Sequence, residues 1–425
     1  LGAVHAACMA ELGHDVVGVD VDEQRIARLA AGDAPFFEPG FPEVLTRAVS
    51  SGRLRFTTDM SEVAGSEVHF VAVGTPQTPG SQAADMRWVD AAVAGLLPHL
   101  ADGALVVGKS TVPVGTAARL AETVRAAVPG ADLAWNPEFL REGFAVRDTL
   151  TPDRFVYGVP AGAAGDRAAA LLDTVYATAL ASGTPRIVTD YATSELVKVS
   201  ANAFLATKIS FINAMAEIAE ATGADVTQLA DAIGHDARIG RRFLNAGLGF
   251  GGGCLPKDIR AFQARADELG LESLAFLADV DAVNLRRRRR VVDLTAELVG
   301  HVEGSRVAVL GVAFKPDSDD VRDSPALDVA RALHDRGASV VVYDPEANTT
   351  AARVAPQLAY AADADAALRD ADVVLVLTEW AEFRQLEPSR VGALVSARRI
   401  VDARNVLDLA AWRAAGFDAR GLGRP

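Results

Sequence analysis

One local pattern occurs twice in this chain, and that repetition limits the fold more than any other feature. Near its start a helical run, LGAVHAACMAELG, leads into the strand-like VVGVD of Val16 to Asp20. Far downstream, Val307 to Leu310 of SRVAVLGVAFKP reads as a strand and Ala326 to His334 as a helix, and VVVYD follows at Val340 to Asp344. Both copies end an apolar strand on aspartate. SEVHFVAVGTP, from Ser66, likewise has a counterpart in ADVVLVLTEW, from Ala371. Short apolar runs at Val16–Val19, Val68–Val73, Leu105–Val107 and Leu133–Trp135 alternate with helical patterns such as Val89–Leu97 and Ala117–Ala127. That alternation predicts mainly parallel sheets with helices on both faces. Between the two parts a helical pattern persists from Ser194 to Thr222 without glycine or proline, as in helices that bridge domains or pack on a partner chain. The expected fold is α/β: two Rossmann-like, doubly wound domains, residues 1–190 and 301–425, joined by a central helical domain, 191–300, with one long helix. Because the chain opens inside a helical pattern, a first strand and turn of about a dozen residues are expected to precede Leu1.

Composition narrows the function. Half of the 425 residues are apolar, enough for large cores, and the formal net charge of −14 argues against broad affinity for nucleic acid or an anionic membrane. No apolar run reaches the length of a membrane span. The two cysteines, Cys8 and Cys254, make neither a disulfide framework nor a metal-ligand cluster. A reducing cytoplasm and no metal are expected. The five arginines Arg286–Arg290 read as a solvated helix face.

Cys254 is the exceptional residue. It follows Gly251, Gly252 and Gly253 in FGGGCLPKD, where the absence of side chains permits positive φ and close approach of a substrate to the sulfur. Lys257 offers a cation that favours thiolate, and Asp258 a carboxylate for proton handling. These neighbours outweigh the alternative of an inert structural thiol. Lys198 and Asn202, four apart on one helix face, read from spacing alone as a solvated patch. Asp20, closing its strand, suits the ribose diol of a bound dinucleotide; of the usual glycine motif only Gly2 is present.

Eight motifs then occur in order: EPG (Glu38–Gly40), VGTP (Val73–Pro76), KSTVPVGT (Lys109–Thr116), NPEFLREG (Asn136–Gly143), KVSANAF (Lys198–Phe204), RIGRRFLNAGLGFGGGCLPKD (Arg238–Asp258), GVAFKPDSDDVRDSP (Gly311–Pro325) and DARNVLD (Asp402–Asp408). Over essentially its whole length the chain resembles the UDP-glucose/GDP-mannose dehydrogenases, most closely the branch acting on UDP-glucose. The resemblance implies oxidation of a nucleotide sugar's C6 alcohol to a carboxylate with two NAD+, through a thiohemiacetal and a thioester on Cys254. Lys198, Asn202 and Asp258 would surround the reacting carbon: Lys198 would stabilise the developing alkoxide, Asn202 and Asp258 would position a water that Thr111 could hold too, Asp258 or Lys198 would help move its proton, and Glu138 would be an acid/base group for thioester hydrolysis. Which of them is the general base stays open.

By the same matching, NAD would be held by Gly2, Asp20, Arg25, Thr75, Ser110, Thr111, Glu142, Lys257 and Arg322. The nucleotide sugar would meet Glu138, Phe139, Leu140, Arg141, Lys198, Asn202, Phe243, Leu244, Asn245, Gly249, Gly251, Phe314, Lys315 and Arg404. Arg238 would reach a neighbouring subunit's site in a homodimer formed through the central helix. Two other readings stay open: the same chemistry on GDP-mannose or a UDP-N-acetyl amino sugar, and a catalytically silent nucleotide-binding protein. Against the family pattern, Gly253 stands in place of a serine and Leu255 in place of a phenylalanine, with small effects expected. A chain lacking the first strand is expected to bind NAD poorly.

Overall fold

The computed structural model describes residues 1–425 and divides them into two compact units. The first comprises Leu1–Ala201 with Ala264–Gly270. In it β1 (Val16–Val19) pairs in parallel with β2 (Leu54–Thr57). A second sheet runs in chain order through β3 (Val68–Val71), β4 (Leu105–Gly108), β5 (Asp132–Trp135), β6 (Phe155–Gly158) and β7 (Arg186–Thr189). Its pairings are parallel except β5 with β6. Strand side chains alternate between faces, so Leu105 and Val107 join one apolar cluster with Cys8, Leu45 and Tyr157, while Val106 joins another with Val89, Leu120 and Trp135. Both faces of the sheet are therefore covered, as the unbroken apolar strands require.

The second unit comprises Asn202–Gln263 and Leu271–Pro425. Its sheet is all parallel, in the order β10 (Ala359–Tyr360), β9 (Ser339–Tyr343), β8 (Arg306–Leu310), β11 (Val373–Val376), β12 (Arg399–Asp402), β13 (Asp418–Gly421). The strand order reverses between β8 and β11, the point where doubly wound sheets open a crevice for a ligand. β1–β2 and β3–β4–β5 of the first unit repeat the order of β9–β10 and β11–β12–β13.

Four helices frame the candidate site residues: α1 (Gly2–Glu11), α2 (Tyr191–Thr222), α3 (Leu255–Glu268) and α4 (Phe276–Val299). The uninterrupted central pattern becomes α2, 32 residues long. Along it Phe204, Phe211 and Ile218 are exposed at seven-residue intervals, while Ile212, Ala216 and Ala219 are buried.

The arginine run on α4 departs from expectation. Arg287 and Arg288 are buried; Arg287 pairs with Glu220, and Arg288 with Asp323, Asp328 and the Phe250 carbonyl. Arg286 pairs with Glu217, and Arg290 with Glu220 and Glu297. Successive helical residues point about 100° apart, so five in a row cannot share one solvated face. Two of them turn inward and need carboxylate partners.

Candidate active site

The expected site residues fall into two groups, one in each unit. The first lies at the carboxyl ends of β4 and β5. Lys109 and Asn136 each follow the last residue of their strand, and NPEFLREG continues from there. Glu138 Oε2 lies 3.0 Å from the Lys109 ammonium, and Glu138 Oε1 accepts the backbone N–H groups of Phe139 at 2.8 Å and Leu140 at 3.0 Å. Burial would push this carboxyl up, but the charge and hydrogen bond of Lys109, with the Leu140 N–H, outweigh it and hold the pKa at about 2. Lys198, half-buried on α2, has its ammonium 5.4 Å from the Phe139 ring centroid, and Arg154 stacks on the same ring at 3.9 Å. Arg141 is exposed and forked onto Asp148.

Two carboxylates and two hydroxyls fix the loops that carry these motifs. In EPG, the buried Glu38 accepts the N–H groups of Gly143 at 2.8 Å and Ala145 at 2.7 Å, pinning the end of NPEFLREG from 105 residues away. Glu195 of α2 does the same for KSTVPVGT, accepting from Gly115 and Ala117 at 2.7 Å each. The VGTP loop is tied to that segment by hydroxyls. Ser110 Oγ donates to the Val73 carbonyl at 2.6 Å, and Thr75 Oγ1 to the Thr111 carbonyl at 2.9 Å.

The second group surrounds Cys254, an exposed thiol outside any disulfide, directly before α3. The uncompensated N–H groups of a helix's first turn favour negative charge on the sulfur. Within that turn Asp258 is buried. Its Oδ2 accepts Asn202 Nδ2 at 2.6 Å and its Oδ1 lies 2.5 Å from the Lys257 ammonium. Asn202 is buried as well, and its contact with Asp258 sets aside the solvated reading.

The glycines before Cys254 serve packing as much as access. Gly252 has φ +84°, and a Cβ there would lie 2.7 Å from the Phe314 ring; a Cβ on Gly251 would overlap the Asp323 carbonyl. The Arg322 guanidinium occupies the space a side chain at Gly253 would need. The preceding residues are held by the fully buried Asn284, which accepts the Phe250 N–H at 2.7 Å and donates to its carbonyl at 2.9 Å. Arg404 bonds the carbonyls of Gly249, Phe314 and Leu377, stitching three loops together. Leu244 is buried, Phe243 is exposed with φ +65°, and Asn245 accepts from Arg241. Lys315 lies over the Phe314 ring, and Arg238, forked onto Asp236, is exposed.

The first unit offers two features that suit NAD. Asp20 lies just past β1, its carboxylate steadied by Arg25 Nη1 at 2.7 Å and the Asp22 N–H at 3.0 Å while a third of the side chain stays exposed. That is an oriented acceptor for a ribose diol, and α1 opens at Gly2, where no side chain obstructs a diphosphate.

Sequence comparison assigns each part of the chain to one family. Residues 1–180 match the NAD binding domain of the UDP-glucose/GDP-mannose dehydrogenase family, 192–286 its central domain and 308–409 its UDP binding domain. The chain belongs to the UDP-glucose/GDP-mannose dehydrogenase family. It is 42% identical to the UDP-glucose 6-dehydrogenase of Rhizobium meliloti, over 100% of this chain and 98% of that one. Against the UDP-glucose 6-dehydrogenase TuaD of Bacillus subtilis the figures are 40%, 100% and 91%. A UDP-glucose dehydrogenase structure from Pyrobaculum islandicum superimposes with a TM-score of 0.90 at 40% identity, covering 100% of this chain and 95% of that one. The family is one of NAD-dependent oxidoreductases, and this member carries its UDP-binding domain. No helix is long and apolar enough to cross a membrane.

Lys109, Glu38, Glu195 and Asn284 were not singled out by the sequence. The first two stand inside motifs, Lys109 opening KSTVPVGT and Glu38 opening EPG, so their signal was there without a role. Glu195 and Asn284 lie in helical stretches where nothing distinguishes them from surface polar residues.

Proposed function

We propose that the protein is a UDP-glucose 6-dehydrogenase, oxidising the C6 alcohol of UDP-glucose to the carboxylate of UDP-glucuronate with Cys254 as the covalent anchor. The observation carrying this reading is the exposed Cys254 thiol before α3, one turn from an Asp258 that is fixed by Asn202 and Lys257. Bound NAD+ supplies the acceptor for the hydride lost at each oxidation. Lys198 stabilises the alkoxide that develops on the C6 oxygen as its proton leaves to water. At the aldehyde stage the Cys254 sulfur bonds to C6 and the carbonyl oxygen takes a proton, giving a thiohemiacetal whose oxidation leaves a thioester. Water then adds to the acyl carbon and the C–S bond breaks. One water proton returns to sulfur, and the other leaves as the new acid ionises. Asn202 and Asp258 position this water together with Thr111, and Glu138 is its hydrogen-bond acceptor.

Phe204, Phe211 and Ile218, exposed along α2, support a homodimer through that helix, with Arg238 serving the neighbouring site. The protein is read as cytoplasmic. Counting NADH released per UDP-glucose consumed tests the chemistry: two are expected, and one, with free aldehyde accumulating, rejects it. Turnover of GDP-mannose but not UDP-glucose would keep the chemistry and overturn the substrate.

A further inference from the structure

Lys109 is buried, yet nothing in the proposed chemistry uses it. Its ammonium has three hydrogens and three acceptors around it: Glu138 Oε2 at 3.0 Å, Asn136 Oδ1 at 3.1 Å and the Tyr176 hydroxyl oxygen at 3.5 Å. No donor is left for a substrate. Asn136 is held in turn, its Nδ2 donating to the Val156 carbonyl at 3.0 Å and its Oδ1 accepting the Tyr176 hydroxyl at 2.8 Å. The chain of bonds thus runs from the backbone of β6 to one oxygen of Glu138, while two backbone N–H groups take the other. A carboxylate gripped at both oxygens has one orientation.

We propose that Lys109 is a positioning residue, which, braced by Asn136 and Tyr176, fixes Glu138 in place as the carboxylate acceptor for the hydrolytic water. This rests on the reading of Glu138 given above. Other titratable groups face the pair. His5 is buried, both ring nitrogens lack a protein partner, and burial with the Lys109 cation brings it down to about 3, so it is neutral. Burial holds the Tyr176 phenol well above its ordinary range and the Cys8 thiol up at about 12. Asp148, Asp153 and Arg154 line the same small cavity of about 30 Å³, and Lys198 lies over Phe139. Lys109 is therefore the cation hydrogen-bonded to Glu138, and a neutral replacement leaves a buried carboxylate that takes up a proton at higher pH.

The experiment follows loss of the Cys254 thioester, by rapid quench and mass spectrometry, between pH 5 and 9. Wild type should show no acid limb from Glu138. Lys109→Met and Lys109→Gln should hydrolyse the thioester about tenfold more slowly at pH 6 than at pH 8.5, with KM for UDP-glucose changed less than about threefold. Lys109→Arg should restore the flat profile, and the limb should vanish when Glu138→Gln is added to either neutral variant. The same loss at every pH, no loss, or a limb surviving in the double variant would overturn the proposal. So would unfolding of both neutral variants, which would assign Lys109 to stability. Wild-type hydrolysis by Glu138→Gln alone would remove Glu138 from the reaction, a separate failure.

Discussion

Asp20 and Asp344 close equivalent strands in the two units, and the structure uses them in opposite ways. Asp20 sits at the end of β1, a third exposed, with only Arg25 and the Asp22 N–H to steady it. Asp344, after β9, is buried, and both oxygens are taken. Oδ2 accepts the N–H groups of Val312 at 2.7 Å and Ala313 at 2.9 Å and the Trp380 indole at 3.2 Å; Oδ1 accepts those of Glu346 and Ala347. The first aspartate is left with acceptor capacity for a ligand. The second spends it folding the β8 loop that leads to Phe314 and Lys315. One strand-end position thus keeps acceptor capacity in one copy and stands in for missing backbone partners in the other, depending on whether the neighbouring loop turns over it.

That contrast can be broken most readily at Asp344. Replacing it with alanine leaves several buried donors unsatisfied and should cost about 3–5 kcal/mol, lowering the calorimetric Tm by about 10 °C. A drop under about 2 °C would mean that the β8 loop holds itself and the contrast is false. Asp20→Ala should do the reverse: KM for NAD about tenfold higher, the worth of one charge-assisted bond, with Tm within about 1 °C because exposed ion pairs contribute little.

Acid separates the two units by the sign of their carboxylate shifts. Glu138 has its folded pKa depressed from 4.5 to about 2, so its contribution to the first unit is fully present above 4.5 and is lost as the pH falls towards 2. In the second unit burial raises the Asp402 carboxyl despite backbone N–H bonds, so its contribution runs the other way and improves as pH falls through that raised value. Hydrogen exchange resolved by unit should show the first losing protection on acidification, and Glu138→Gln should flatten that loss. The smallest effect belongs to Gly253→Ser. Displacing the exposed Arg322 guanidinium should raise KM for NAD up to about threefold and leave kcat within about twofold, since only the tip of a flexible side chain has to move.

The alternation of strands and helices was legible because periodicity is a local property. β1, β4 and β5 lie within a residue of the expected runs, and the long helix covers Tyr191–Thr222. Cys254 stood out as a candidate because glycine density beside a thiol is visible in one dimension. The burial of Arg287 and Arg288 was not, since their acidic partners arrive from α2 and from the segment after β8. Glu38 stands within a motif, but its partners Gly143 and Ala145 lie far along the chain.

By itself the sequence determined the two α/β repeats, the long helix and the residue types offered for chemistry, because strand and helix periods and turn residues act over a few neighbours. Tertiary structure alone decided which carboxylates remain free for ligands and which are consumed by backbone N–H groups. An acidic side chain's burial and partners depend on loops and strands brought beside it by folding, and their separation in sequence gives no trace of that meeting.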